Sequence, residues 1–127
     1  DEQRFSAESQ EGREYHHLFP KARLEIEDRP RRQIFCALNC ALLSWRTNRA
    51  IGAKPPSQYV AERADEVGLP EEEVNRRLLS HCIPPEALRS DDFDTFLDAR
   101  ASLLHAIMVA LCDGKNVGLQ DVLTGDA

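Results

Sequence analysis

Two adjacent histidines, His16 and His17, are followed in the sequence by two asparagines, Asn39 and Asn48, and each side-chain type has a role in phosphodiester chemistry. A neutral imidazole can take a proton from water near neutral pH. Histidine nitrogen and asparagine oxygen bind divalent metal ions, and a further asparagine can hold a base in one orientation. By themselves, the histidines could be a chance pair in a loop, two metal ligands, or one ligand beside one base.

The elements that must position these residues are short. The apolar runs "YHHLF" and "IFCALNCALL" suit two strands, although the second could also be a short buried helix. The charged separator "EIEDRPRRQ" contains Pro30 and has no helical period, so a loop is expected there. The stretch "SWRTNRAIGAK" predicts a short helix that begins with Ser44 as its N-cap and ends at Gly52.

The chain beyond residue 54 is predicted to be helical. "SQYVAERADEV" has Ser57 as its cap and Gly68 as its terminator, and "PEEEVNRRLLSH" starts at Pro70 with three glutamates in its first turn. "DDFDTFLDARASLLHAIMVALCDG" predicts the longest helix, which ends at Gly114. Its apolar stripe consists of Phe93, Phe96, Leu97, Leu104, Ile107 and Leu111. The predicted fold class is α+β, with a small mixed element followed by a helical layer.

Charge is unevenly distributed along the chain, whose formal net charge is −6. Residues 13–54 carry nine Lys or Arg against four acids, net +5, whereas residues 55–127 carry six against fourteen, net −8. An acidic total therefore contains one basic segment that could face phosphate. The sequence suggests no apolar run of signal-peptide or membrane-spanning length, so we expect a cytoplasmic location and no membrane partner.

The stretch "YHHLFPKARL…LNCALLSWRTNRAIGAKPPSQYV" resembles the HNH, or ββα-metal, nuclease motif. It is most similar to the C-terminal nuclease domain of GmrSD-type restriction proteins, and the likeness extends over about residues 14–60. The resemblance implies a ββα-metal core at residues 14–54. Residues 55–127 would be a helical packing region of the same domain, and residues 1–13 a flexible linker.

The resemblance implies a role for each matching residue. His17 would be the general base, and His16 would be the first metal ligand, at a position where Asp or Glu is more common in the family. Asn39 would orient the base, and Asn48 would be the second metal ligand. Neighbouring strand residues point to opposite faces, so the two histidines can share a site only if the strand twists or ends there. Pro20 makes such an ending plausible.

The implied activity is hydrolysis of DNA phosphodiester bonds by an endonuclease that nicks or cuts foreign or modified DNA in bacterial restriction. By the same resemblance, the implied partners are double-stranded DNA and an N-terminal ParB-like sensor or NTPase domain. The chain begins at Asp1 and is expected to be a piece of a longer protein. Arg46, Arg49 and Lys54 could position the DNA backbone, although a solvated helix face explains them equally well. The alternative is a non-catalytic helical interaction domain with a degenerate nuclease motif.

The implied cofactor is one divalent metal ion, Mg or Mn. The four cysteines raise a second possibility, a structural zinc site, which usually needs two tight ligand pairs. Cys36 and Cys40 are the one pair close to that spacing, so we expect no structural zinc. Buried free thiols are the simpler expectation for the cysteines, which are too few for a dense disulfide framework.

Overall fold

The structure, a computed structural model, describes residues 13–44 and 51–124. The chain divides between Lys54 and Pro55 into two compact units, each described here by itself. In the described residues, the first unit contains a small antiparallel sheet and short helices, and the second unit contains helices. The fold is therefore mixed and mostly helical, which agrees with the α+β class.

The first unit is built on two paired strands. β1 (Arg13–His17) lies antiparallel to β2 (Cys40–Ser44). The connection between them contains, in chain order, α1 (Lys21–Ile26), α2 (Arg31–Ile34) and a 3-10 turn (Ala37–Asn39). Phe19, Leu24 and Ile34 are buried, so each part of this connection contributes to a small apolar core.

The expectation of a loop over "EIEDRPRRQ" holds only for residues 27–30, because the stretch also includes the end of α1 and most of α2. Each of these helices has one fully enclosed apolar side chain, Leu24 in α1 and Ile34 in α2. A helix with a single buried position shows no apolar period in its sequence. The second apolar run is a strand only from Cys40 onward, since its first part forms the end of α2 and the 3-10 turn.

The second unit contains five helices among its described residues. They are α3 (Pro56–Val67), α4 (Glu71–Leu79), α5 (Pro85–Arg89), α6 (Phe93–Cys112) and α7 (Leu119–Thr124). The short helix α5 is central, because it contacts α3, α4 and α6. Leu88 of α5 is fully enclosed, as are Phe93 and Phe96 on the first turns of α6.

Several predicted helix ends are confirmed. α3 ends at Gly68, which has the left-handed backbone (φ 64°) that favours glycine, and three glutamates occupy the first turn of α4. α6 begins after Asp92, whose carboxylate accepts a hydrogen bond from the main-chain N–H of Thr95. The predicted cap Ser57 is wrong, because α3 has Pro55 at its N-cap position and Ser57 lies within the helix.

Proline precedes five of the described helices. Pro20, Pro30, Pro55, Pro70 and Pro84 occupy the N-cap positions of α1 to α5. Proline has a φ suited to a helix start and no N–H that would be left without a partner. None of these five residues provides a side-chain hydrogen bond to its helix.

The short helix expected over "SWRTNRAIGAK" falls mainly on residues 45–50, outside the described part of the chain. Its predicted N-cap, Ser44, is the last residue of β2. Gly52, where the helix was expected to end, has a φ of 56°, which is the left-handed region.

α6 corrects two expectations. By length and composition alone it is apolar enough to cross a membrane, although the sequence was expected to contain no such run. The apolar stripe is buried only near its start, where Phe93 and Phe96 are enclosed, whereas Leu111 is 54% exposed. The buried Arg100 lies between these regions and donates a hydrogen bond to the main-chain oxygen of Cys82 at 3.1 Å.

Asp91 caps α3 from the turn that precedes α6. Its carboxylate accepts hydrogen bonds from the main-chain N–H of Ser57 at 2.9 Å and from the Ser57 hydroxyl at 2.5 Å. Asp91 has a positive φ of 57°, which aspartate and asparagine tolerate better than most residues. At the start of α3, Ser57 is therefore the hydrogen-bond donor, and the capping acceptor is the carboxylate of Asp91.

Replacing Asp91 with alanine should lower the free energy of unfolding by about 1–2 kcal/mol, because α3 loses its acceptor and alanine is strained at positive φ. Asp91→Asn is the matched control: it tolerates this φ, keeps one acceptor oxygen and should lose less. Urea unfolding followed by circular dichroism compares the two variants. An Asp91→Ala protein as stable as the unchanged chain would show that this cap contributes nothing.

Candidate active site

The two histidines occupy the end of β1. His17 is the last residue of the strand and lies opposite Cys40, and His16 lies opposite Ala41. Side chains alternate as strand geometry requires, because His16 is 7% exposed, with its Nε2 atom buried, whereas His17 is half-buried. The strand thus ends at the histidine pair, and the two imidazoles leave it from opposite faces.

The imidazole of His17 packs against Phe35, the residue that follows α2. The two rings meet edge to face, with centroids 5.0 Å apart and an interplanar angle of 84°. In the described part of the chain, no hydrogen bond is made to the His17 ring. Its nitrogens are therefore available to a water molecule or a substrate.

The surroundings of His17 favour its neutral form. Partial burial, and then the positive charge of Lys21, lower the pKa of His17 below its usual value of 6.5. At neutral pH the imidazole is therefore unprotonated. This is the form in which histidine can act as a general base.

Asn39 is completely buried and forms three side-chain hydrogen bonds to main-chain groups. Its Oδ1 accepts from the N–H of Phe19 at 2.8 Å, and its Nδ2 donates to the carbonyl oxygens of Phe19 at 3.2 Å and Ile34 at 3.0 Å. The main-chain oxygen of Asn39 also accepts from the N–H of Leu18 at 2.7 Å. These bonds fix the two residues that directly follow His17.

Asn39 was expected to orient the base, and the structure gives this expectation a specific form. The hydrogen bonds of Asn39 go to the main chain and not to the imidazole of His17. An effect on His17 would therefore pass through the backbone at residues 18 and 19. In this arrangement His16, His17 and Asn39 lie at one end of the sheet, since His17 pairs with Cys40, the residue after Asn39.

Of the remaining predicted site residues, the structure describes Lys54 alone. Asn48, Arg46 and Arg49 lie outside the described residues. Lys54 is half-buried, and its main-chain N–H donates to the oxygen of Ile51 at 3.2 Å. Of the predicted residues that the structure describes, His16, His17 and Asn39 are therefore the ones it brings together.

The structure also places two cations, which the sequence did not indicate, at the Phe35 ring that packs against His17. The Nζ atom of Lys21 lies 5.8 Å from the centre of the Phe35 ring, and the guanidinium carbon of Arg31 lies 4.9 Å from it. Arg31 and Phe35 are four residues apart, which is the spacing of neighbours on a helix surface. That spacing would have been a signal only if this stretch had been recognised as helical.

A divalent ion fits the donor set in part. Within residues 13–44 and 51–124, no group of three or more His, Cys, Asp or Glu side chains is arranged to hold a metal ion. The proposed pair is different, since it combines His16 with Asn48, which is not described. The amide oxygen suits a hard ion such as Mg or Mn, whereas the imidazole nitrogen suits softer ions, so this pair of ligands does not by itself select Mg.

The cysteines are free thiols in the described structure. Cys36, Cys40 and Cys82 are partly buried, and the expectation of a buried thiol is wrong for Cys112, which is exposed. The thiol of Cys40 lies 3.4 Å from the main-chain oxygen of Cys36, to which it can donate a hydrogen bond.

No family model matches this chain, and no curated protein or solved structure is significantly similar to it. Its function is therefore inferred from the side chains and contacts described above. The likeness of residues 14–60 to the HNH motif stays a prediction.

Replacing Asn39 with alanine should loosen the turn after His17. The variant leaves the buried N–H of Phe19 without its acceptor, which costs about 1–3 kcal/mol of stability. Amide hydrogen exchange measured by NMR should show faster exchange at Phe19. Asn116→Ala is the control, because Asn116 is exposed and its loss should change stability by less than about 0.5 kcal/mol. Unchanged protection of the Phe19 amide in Asn39→Ala would contradict the role of these hydrogen bonds.

An NMR titration of the His17 ring should give a pKa below 6.5. Lys21→Gln should raise this pKa only part of the way, because burial is the larger cause, whereas Lys21→Arg keeps the charge and should leave it low. Since the folded pKa lies below the unfolded value, protonation favours unfolding. The contribution to stability is complete above 6.5 and decreases as the pH falls below it. A normal or raised pKa would contradict this description.

Proposed function

We propose that this chain carries a metal-dependent DNA endonuclease domain of the HNH, or ββα-metal, type. One observation carries the proposal: the side-chain amide of Asn39, directly before β2, is bonded to the backbone that follows His17, the last residue of β1. A base that must accept a proton from water needs a fixed position. The buried hydrogen bonds of Asn39 support such a position for His17.

His17 acts in this proposal as the general base that takes a proton from the attacking water. Its lowered pKa keeps it unprotonated at neutral pH, and its ring nitrogens make no hydrogen bond within the described structure. Its imidazole also packs edge to face with the ring of Phe35. The HNH resemblance implies products with 3′-hydroxyl and 5′-phosphate ends.

His16, together with Asn48 outside the described residues, would hold one divalent ion, Mg or Mn. When bound, such an ion supplies positive charge that stabilises the leaving oxygen of the scissile phosphate. His16 is buried and leaves β1 from the face opposite His17. In this proposal the two histidines reach one phosphate around the end of the strand, which lies at His17.

Double-stranded DNA is the proposed substrate, and the first unit is the side that receives it. Residues 13–54 have a net charge of +5, whereas the helical part beyond them has a net charge of −8 and repels phosphate. Arg46, Arg49 and Lys54 would contact the DNA backbone without reading its sequence. By the same resemblance, the domain would act in bacterial restriction, in the cytoplasm, beside an N-terminal sensor or NTPase domain.

A second candidate function is a non-catalytic interaction domain, and one observation favours it. Near the end of α6, the apolar side chains of Met108 and Leu111, three residues apart and so on one helix face, are 63% and 54% exposed. Exposed apolar groups that lie together often mark a protein contact. Filled motif positions at both histidines and both asparagines favour the nuclease.

Nicking of supercoiled plasmid in Mg or Mn distinguishes the two functions. His17→Ala should reduce the nicking rate by about two to four orders of magnitude, because a general base typically contributes that much. The fold should remain intact, since this half-exposed side chain makes no hydrogen bond in the described structure. Asn48→Ala should lose activity through metal affinity, so excess metal should partly rescue it but should not rescue His17→Ala.

Glu71→Gln combined with Glu72→Gln is the control, because these exposed acids lie in the helical unit and have no proposed role in cleavage. This variant should nick plasmid at nearly the original rate. Nicking that survives a metal chelator, or full activity in His17→Ala, would refute the nuclease and leave the interaction domain as the better explanation.

A further inference from the structure

Phe35 is an exposed aromatic residue at the centre of a charged cluster. Its side chain is 44% exposed, although it lies beside the half-buried imidazole of His17. Lys21 and Arg31 approach the same ring, at 5.8 and 4.9 Å from its centre. A cation over an aromatic ring is attracted to it, so the ring holds both positive groups near His17.

The two cations are not neutralised to the same extent. Lys21 has Glu25 at 3.5 Å, but both side chains are about half exposed, and such surface pairs contribute little. Arg31 makes no ion pair in the described structure. The guanidinium group of Arg31 is therefore open to an anionic ligand.

The connection that carries this cluster is held in place. Along the chain, α1 and α2 connect the two paired strands. The Asn39 side chain bonds to main-chain groups at both ends of this helical segment, at Phe19 before α1 and at Ile34, the last residue of α2. Phe35 directly follows Ile34, and its own N–H donates to the oxygen of Arg31 at 3.0 Å. The aromatic ring is therefore attached to a fixed backbone, so that little ordering is needed when a ligand binds.

We propose that Lys21, Arg31 and Phe35 form a phosphate-binding cluster that receives the backbone of a nucleic acid beside His17. Arg31 and Lys21 bind phosphate oxygens, and Phe35 keeps both cations close to the base. Guanidinium groups match phosphate geometry well. Cations combined with an aromatic ring suit a nucleic acid as the ligand better than they suit an acidic protein surface. The identity of this ligand rests on the proposed nuclease function.

Arg32 provides a matched control for Arg31. It is the next residue in α2, it is exposed, and in the described structure it makes neither an ion pair nor a ring contact. Arg31→Gln and Arg32→Gln therefore remove the same charge from neighbouring positions. If DNA is attracted only by the overall positive charge, the two variants should lose equal affinity for DNA. If DNA binds at the proposed cluster, Arg31→Gln should lose more affinity than Arg32→Gln.

The experiment is fluorescence anisotropy with a short labelled DNA duplex of mixed sequence. It uses the whole chain in EDTA, so that binding is measured without cleavage. Arg31→Gln should weaken binding on the order of fivefold and lower the slope of log K against log salt by about one. Arg32→Gln should weaken binding less than twofold. Phe35→Leu should weaken binding while leaving the salt slope nearly unchanged, because both charges remain.

Three outcomes would overturn the proposed cluster. The first is that the unchanged protein does not bind DNA at low salt, and the second is that Arg31→Gln and Arg32→Gln lose equal affinity for DNA. The third is that polyglutamate competes for the protein as well as unlabelled DNA does, which would indicate an acidic protein partner. Plasmid nicking separates this inference from the nuclease proposal. A nicking protein with equal losses keeps the nuclease and refutes the cluster. A protein that does not nick but loses affinity selectively in Arg31→Gln keeps the cluster as a binding site and refutes the nuclease.

Discussion

The first unit depends on one buried amide. The side chain of Asn39 bonds to both the N–H and the carbonyl of Phe19, as a strand neighbour would, and it also reaches the carbonyl of Ile34. Without it, the long connection between the two short strands would have many conformations. The strands could not hold that connection by themselves, because a two-stranded sheet is only marginally stable alone. With this amide in place, the end of β1 and the end of α2 are held together. His17 and Phe35 come into contact as a consequence.

The charge distribution divides the chain in the same place as the contacts do. The structural boundary falls after Lys54, and the net charge changes sign at that residue, from +5 over residues 13–54 to −8 over residues 55–127. Charge of one sign concentrated in one unit attracts an anionic ligand even when the whole protein is acidic. The cations near Phe35 therefore act in a segment whose carboxylates are few.

The sequence predicted features that have a period or a local cap. The long helix α6 was visible from its apolar spacing, and the left-handed end of α3 was visible from Gly68. The sequence could not reveal α1 and α2, because a helix with a single buried residue leaves no periodic pattern of apolar residues. The partners of Asn39 were equally invisible, because main-chain atoms carry no sequence signal. The contact between His17 and Phe35 follows from those hidden elements.

All seven prolines of the chain lie at the start of a helix, five at N-cap positions and two, Pro56 and Pro85, in the first turn. Proline restricts the unfolded chain as well as the folded one, so less conformational entropy is lost when these short helices form. The proline caps themselves carry no ionisable group. A change in pH therefore leaves the caps of α1, α2, α4 and α5 unaltered, and it can act at the start of α4 only through other residues, such as the three glutamates of its first turn.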